Sequence, residues 1–324
     1  ERQKLAAALD AETSALLKAD SLAGSREPGD ALPAAPPARV RHDFPVPNPP
    51  DLRLHVLRDF DLEQIFPYIN PQMLYGRHLG FKGRYAEALA AGDPAAQELR
   101  DGVRGVEEMV LASGDIVATG VFKFFPCQAD GQRLLLYGPD GRTIQESFYF
   151  GRQSQREGLC LSDFVLPKSL TPSPSPRGRG ETKGMDYIAM FVTSIGPGVL
   201  ELSERLRGEG RFLDSHILQA LALECAEGFA ELLHQQIRQM WGFGDAPGTP
   251  HQDLFRTQYR GRRYSFGYSA CPRLEDQEGL FRLLDVTANI GVELTEGFMM
   301  DPEASVSALV FHHHDAKYFN LSPA

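Results

Sequence analysis

Thirteen consecutive residues, Arg260-Gly261-Arg262-Arg263-Tyr264-Ser265-Phe266-Gly267-Tyr268-Ser269-Ala270-Cys271-Pro272, gather cations, aromatic rings, small residues and a proline stop. An arginine there can grip a carboxylate with two parallel hydrogen bonds. Gly267 lets the backbone come close to a ligand, and a loop of this kind exposes N–H and C=O groups. A tight surface turn with solvated arginines is the plainer reading, and composition alone favours it. Cys271 is a conceivable nucleophile if Arg263 lowers its pKa, but no histidine partner can be named, so a packed, inert thiol is the simpler expectation. Phe311-His312-His313-His314-Asp315 invites a metal reading, because strand alternation would put His312 and His314 on one face. No third or fourth ligand is evident, and hydrogen-bonded imidazoles at a strand end explain the run equally simply. Glu227 and His234 are seven apart on a long predicted helix and share a face. They mark either the wet edge of a cleft or an ordinary polar stripe.

Other chemistries lose support. No G-x-x-x-x-G-K-[ST], G-x-G-x-x-G after a strand, G-x-S-x-G or H-E-x-x-H occurs. Net charge is −10 over 324 residues, which argues against a nucleic-acid partner. No apolar run approaches the roughly 20 residues a membrane span needs. Cys127, Cys160, Cys225 and Cys271 are far apart and form no C-x-x-C pair, which suits a reducing cytoplasm. The first residue is Glu, and the opening residues lack a signal peptide's apolar core. The chain therefore reads as cut from a longer polypeptide.

The elements that must position these residues follow from periodicity. Residues 1–22 read as an exposed helix, and 24–50, with Pro28, Pro33, Pro36, Pro37, Pro45, Pro47, Pro49 and Pro50, as an extended tether. Residues 1–50 thus form a helix and interdomain linker, and 51–324 one domain. Helical spacing is predicted over 61–69, with Asp61 as N-cap, and over 84–113. Residues 117–150 read as an antiparallel meander turning at Asp130-Gly131 and Asp140-Gly141. Residues 171–184 are a low-complexity insertion that interrupts the domain without dividing it. The strongest helix, 215–240, capped by Asp214 or Ser215, is apolar on most faces and so central. A helix near 275–284 and strands near 292–300 and 305–311 complete an α+β fold.

Residues 263–272 resemble the R-x-x-x-G-Y-P-A-C-P signature of one family. Leu283-Leu284-Asp285-Val286, Gly291-Val292-Glu293-Leu294-Thr295-Glu296, Pro302-Glu303-Ala304-Ser305-Val306-Ser307 and Asp315-Ala316-Lys317-Tyr318 continue the match in order. Leu161–Pro167, Asp186-Tyr187-Ile188, Ala226–His234 and Tyr68-Ile69-Asn70 fit upstream. Over roughly residues 55–321 the chain is similar to the C-terminal activation domain of cobalamin-dependent methionine synthase.

That resemblance implies a curved antiparallel β-sheet with surrounding helices. It implies S-adenosylmethionine binding and the reductive methylation of cob(II)alamin to methylcobalamin, with the cobalamin held by a neighbouring corrinoid-binding domain and the electron supplied by a flavodoxin-type reductase. Arg263 matches the arginine that holds the ligand's carboxylate. Asn70 stands where some members have Asp, facing the amino group. Ser265, Gly267 and Tyr268 belong to the loop expected to give main-chain contacts. Tyr318 and Phe319 match a Tyr-Tyr pair, and Glu227 a glutamate beside the cleft. No catalytic dyad and no metal ligand is implied, because such a domain acts by orientation. Ser269 replaces the signature's proline, and Phe319 lacks a hydroxyl. The Asn70 and Phe319 changes motivate an alternative, a docking module for a corrinoid domain and a flavodoxin that has lost small-molecule binding. A free-standing methyltransferase is a third reading. The Arg260–Arg263 cluster is a candidate basic patch for an acidic reductase.

Overall fold

β-branched and aromatic residues dominate 118–125, and the chain there runs as one long strand around which the sheet is assembled. The computed structural model describes residues 40–154, 157–168 and 184–321. The predicted helix at 1–22, the predicted tether over 24–39 and residues 171–183 of the predicted 171–184 insertion lie outside them.

Strand β1 (His55–Phe60) leads into α1 (Leu62–Ile65). Asp61 caps α1 by accepting from the Glu63 N–H at 2.9 Å. The helix predicted over 61–69 is shorter than expected. Pro67 has no N–H for an α-helical bond, and the chain tightens into a 3₁₀ turn at Phe66–Tyr68. A π-helical segment, Gln72–His78, follows. The single helix expected over 84–113 is two, α2 (Tyr85–Ala90) and α3 (Pro94–Ser113). Asp93 starts the second by accepting from the Ala96 N–H, with Pro94 in the first helical position.

The meander is present as β2 (Ala118–Asp130), β3 (Arg133–Tyr137) and β4 (Ile144–Tyr149). After β5 (Asp186–Ser194) come α4 (Val199–Gly208) and the long α5 (Phe212–Met240). α5 begins three residues earlier than predicted, after Arg211, with no side-chain cap. Phe212 and Leu213 are exposed, so apolar periodicity does not mark them. Asp214 sits in the first turn instead, where a carboxylate favours the helix dipole, and pairs with Arg211 at 2.8 Å. Then follow α6 (His251–Phe255), β6 (Arg262–Tyr264), α7 (Gln277–Leu284), α8 (Val286–Ile290), β7 (Glu293–Leu294), β8 (Met300–Asp301) and β9 (Ser305–Phe311). The strand expected over 292–300 is a small hairpin of β7 with β8, separate from the main sheet.

The seven-stranded sheet runs β4-β3-β2-β5-β9-β6, with β1 also on β2, and its pairs are antiparallel. Alternation along the strands divides the core in two. Phe122, Phe124, Phe191, Ala308 and Val310 face α5, α3 and α4. Val121, Phe125, Met190, Val192 and Leu309 face α7, α8 and the 159–165 and 264–271 loops. The fold is α+β, an antiparallel sheet covered on both sides.

The proline-rich stretch packs against this body over residues 40–50. Trp241 Nε1 donates to the Pro47 carbonyl at 2.9 Å, and His313 Nε2 lies 2.8 Å from the Arg41 carbonyl. Phe44 meets the rings of His313 and His314 edge-on, at 4.8 and 4.9 Å.

Candidate functional site

β6 is a three-residue strand on the sheet edge, with Arg263 opposite Val310 of β9. It stops because the next residues bond to one another. Tyr268 N–H and the Cys271 thiol both donate to the Ser265 carbonyl, Gly267 N–H donates to Cys271, and Cys271 N–H to Tyr268. Gly267 has φ +93, and a Cβ there would lie 2.8 Å from Leu274 Cδ2, so the turn requires glycine. The loop spends the N–H groups of Gly267 and Tyr268 on itself, which narrows the main-chain contacts it can offer a ligand. Burial pushes the Cys271 thiol up to about 12, which removes it as a nucleophile near neutral pH.

Arg263 is turned toward α5. Its Nη2 donates to Glu227 Oε2 at 2.9 Å and its Nε to Glu231 Oε2 at 3.5 Å. Burial works against the guanidinium's charge, but the two carboxylates outweigh it and its pKa rises. Nη1 has no hydrogen bond among the described residues. The expected glutamate beside the cleft is therefore in direct contact with the arginine.

Glu227, Glu231, His234 and Arg238 form one stripe along α5. Glu227 is the exposed end, with 44% of its side chain accessible, and His234 is fully buried. The His234 ring is neutral, because burial and then Arg238, Arg263 and Arg262 depress its pKa far below normal. Its 4.0 Å approach to Glu231 is thus no ion pair. The wet-edge reading holds for Glu227 and fails for His234. Tyr259 stacks on the stripe, with the Arg238 guanidinium 3.9 Å above its ring and its hydroxyl 3.4 Å from Glu231 Oε2.

On the far side of Arg263 a cavity of about 420 Å³ opens, walled also by Ser265, Tyr268, Tyr318 and Phe319. The Tyr264 hydroxyl donates to the Lys317 carbonyl at 2.8 Å, which fixes the 316–320 segment beside β6. Tyr318 meets Tyr264 edge-on at 5.6 Å, and Phe319 packs toward Phe164. Five of the eight predicted residues thus wall one cavity, and Glu227 joins them through Arg263. Gly267 shapes the loop and is not part of the wall. Asn70 does not reach it. Its Oδ1 accepts from the Gln72 N–H at 3.0 Å. The 65–69 backbone just before it crosses α5 at Gly228, where a Cβ would stand 3.3 Å from Ile69 N. Glu231 and Tyr259 were not predicted. The signal for Glu231 was a polar i, i+4 pair on an otherwise apolar helix.

A larger cavity, about 630 Å³, opens at the neighbouring Arg262, whose side chain points to the opposite face of the strand. There Lys317 pairs with Glu157, and Arg262 gives its Nη1 to the Tyr259 and Gly261 carbonyls while its buried Nε has no partner. The smaller cavity, with Tyr268, Tyr318 and Phe319 gathered around Arg263, is the better ligand site. The suggested Arg260–Arg263 patch does not form. Arg260 donates to the His312 carbonyl and lies over Phe243, and residues 260–263 are buried or half-buried.

The histidine run does not present His312 and His314 as a pair. His312 is buried and bonds Asp186 at 2.7 Å, whereas His314 is exposed. Among the described residues no three His, Cys, Asp or Glu are grouped to hold a metal ion. The four cysteines are free and buried, and no helix of the described residues is long and apolar enough to cross a membrane.

Comparison with known proteins agrees with this architecture. Methionine synthase of Mycobacterium tuberculosis is 29% identical over 293 residues, 87% of this chain and 24% of that protein. Methionine synthase of Mycobacterium leprae is 26% identical over 291 residues, 86% of this chain and 23% of that protein. The chain therefore spans about a quarter of the length of these relatives. A crystal structure of the MetH reactivation domain bound to AdoHcy superposes with a TM-score of 0.77 at 26% identity, covering 87% of this chain and 85% of that one. The family described as vitamin B12 dependent methionine synthase, activation domain, matches residues 61–323, and the chain belongs to that family.

Proposed function

We propose that this domain binds S-adenosylmethionine in the Arg263 cavity and serves the reductive methylation that returns cob(II)alamin to methylcobalamin, within a cytoplasmic cobalamin-dependent methionine synthase. The observation that carries the reading is the arginine in the cavity wall, held by two glutamates yet with a guanidinium nitrogen unspent. A cavity of about 420 Å³ suits a nucleoside-sized ligand. Arg263, Glu227 and Glu231 together carry one negative charge, which complements a ligand whose ammonium and sulfonium outnumber its single carboxylate. That a MetH reactivation domain binds AdoHcy supports the same ligand class.

In this reading S-adenosylmethionine supplies an activated methyl group, and the chain's own residues hold and aim it. Arg263 receives the carboxylate. Tyr318, 52% exposed at the rim, and Tyr268 present aromatic faces that favour a cation. Ser265 and Phe319 close the wall and exclude water. Asn70 Oδ1 keeps a second lone pair beside the Gln72 N–H, but the residue would have to move to the cavity to accept from the ligand's amino group. No general acid or base is required, because a sulfonium is already a good leaving group. Cobalamin would be held by a corrinoid-binding domain of the same polypeptide, and a flavodoxin-type reductase would supply the electron.

The engaged state of Arg263 favours a second reading, a docking module that no longer binds the small molecule. Calorimetric titration of the chain with S-adenosylmethionine separates them. Saturable binding is expected, weakened by about 1.5–3 kcal/mol in Arg263→Ala. A folded chain with no heat of binding would establish the docking module instead.

A further inference from the structure

Arginine offers two edges to a carboxylate, Nε with Nη2 and Nη1 with Nη2. In Arg263 the first edge is taken, Nε by Glu231 and Nη2 by Glu227. The two glutamates are not equivalent. Glu227 stands at the mouth, half-exposed, where water can replace its partner at little cost. Glu231 is buried, and its Oε2 takes both the Arg263 Nε–H and the Tyr259 hydroxyl. Its Oε1 has no partner, and neither ring nitrogen of the adjacent His234 has one. A buried carboxylate so placed has no alternative to Arg263 and cannot let go without becoming an unpaired buried charge. Tyr259 is itself fixed, between the guanidinium of Arg238 at 3.9 Å and that of Arg262 at 5.3 Å. Asp245 in turn holds Arg238.

We propose that Glu231, backed by Tyr259, is a positioning residue: it clamps the Nε edge of Arg263 so that the Nη1–Nη2 edge faces the cavity and takes the ligand's carboxylate. The assignment rests on the reading that Arg263 receives that carboxylate. Glu227 is then free to stay or leave, while the orientation of the guanidinium is set from the buried side.

The test compares two ligands on the 324-residue chain, S-adenosylmethionine and its decarboxylated analogue, which lacks the group Arg263 would hold. Glu231→Gln keeps the shape and removes the charge. Affinity for S-adenosylmethionine should fall about tenfold, and affinity for the analogue, which loses only the charge complement to its cations, by no more than about threefold. Equal losses on both ligands, or no loss on either, would overturn the proposal. Arg263→Ala is the control. If it fails to discriminate the ligands, the carboxylate reading fails and takes this proposal with it. If it discriminates and Glu231→Gln does not, the positioning role alone fails. Should Glu231→Gln not fold, Tyr259→Phe removes only the hydroxyl. A smaller loss with the same ligand split supports the proposal, and an even loss refutes it.

Discussion

Two buried polar centres flank β9, and they differ in how completely they are satisfied. At Asp186, Oδ1 accepts from Tyr187 N–H and meets His312 Nε2, and Oδ2 accepts from Leu166 N–H, at 2.7 Å in each case. Phe44, Trp241 and Phe243 enclose His312. At Arg263, two long or half-exposed contacts leave a nitrogen unspent, and Glu231, His234 and Arg238 retain buried atoms without partners. By residue type the histidine run looked the more chemical of the two. By hydrogen-bond accounting the Asp186 carboxylate is fully used and of that pair only His312 Nδ1 lacks a partner, whereas the arginine centre keeps several such atoms and opens toward a cavity. Unmet capacity beside accessible space marks a ligand site better than the identity of the side chains does.

The largest effect should come from opening the better satisfied centre. Asp186→Ala strands two backbone N–H groups and the His312 ring, and should cost about 3–5 kcal/mol in urea unfolding. A loss below about 1 kcal/mol would mean that this centre is no better satisfied than the other. Next comes the neighbouring His313, whose pKa burial lowers to about 4. Its folded pKa lies below the unfolded value near 6.5, so the unfolded chain binds the proton first as pH falls. The contribution is fully present above pH 6.5 and is lost between 6.5 and 4. Stability should drop by about 2 kcal/mol from pH 7 to pH 5 through this group. His313→Asn should show a correspondingly shallower pH dependence, and identical slopes would contradict the assignment. The smallest effect belongs to the open centre. Glu227→Gln should change unfolding free energy by less than about 0.5 kcal/mol, because its carboxylate is half-exposed. A larger loss would show that the mouth of the cavity is structural and would erase the contrast.

Much of the scaffold was legible because its signals are local. Asp130-Gly131 and Asp140-Gly141 placed the meander turns, and the dense apolar coverage of 217–237 marked the central helix. Helix boundaries were missed where one residue decides them, as at Pro67 and Pro94. The 263–272 signature located the cavity wall, but the partners of its arginine were only half legible. Glu231 meets Arg263, and Tyr259 meets Glu231, because β6 pairs with β9 and lies alongside α5, a relation no window of sequence contains. The same holds for His312, whose partner is 126 positions away. A histidine's type suggests metal, and only the tertiary fold reveals the carboxylate that already occupies it.

Helix α5 carries both the glutamates of the cavity and, on its other faces, Phe229, Leu232 and Leu233 of the core. Twenty-nine residues of α-helix make a rod of about 43 Å. Amides from 227 to 237 should therefore exchange with deuterium only when the whole domain opens, at the slow limit for this chain. The carboxylates can adjust to a guest by rotating about their side-chain bonds, while the backbone that bears them keeps still.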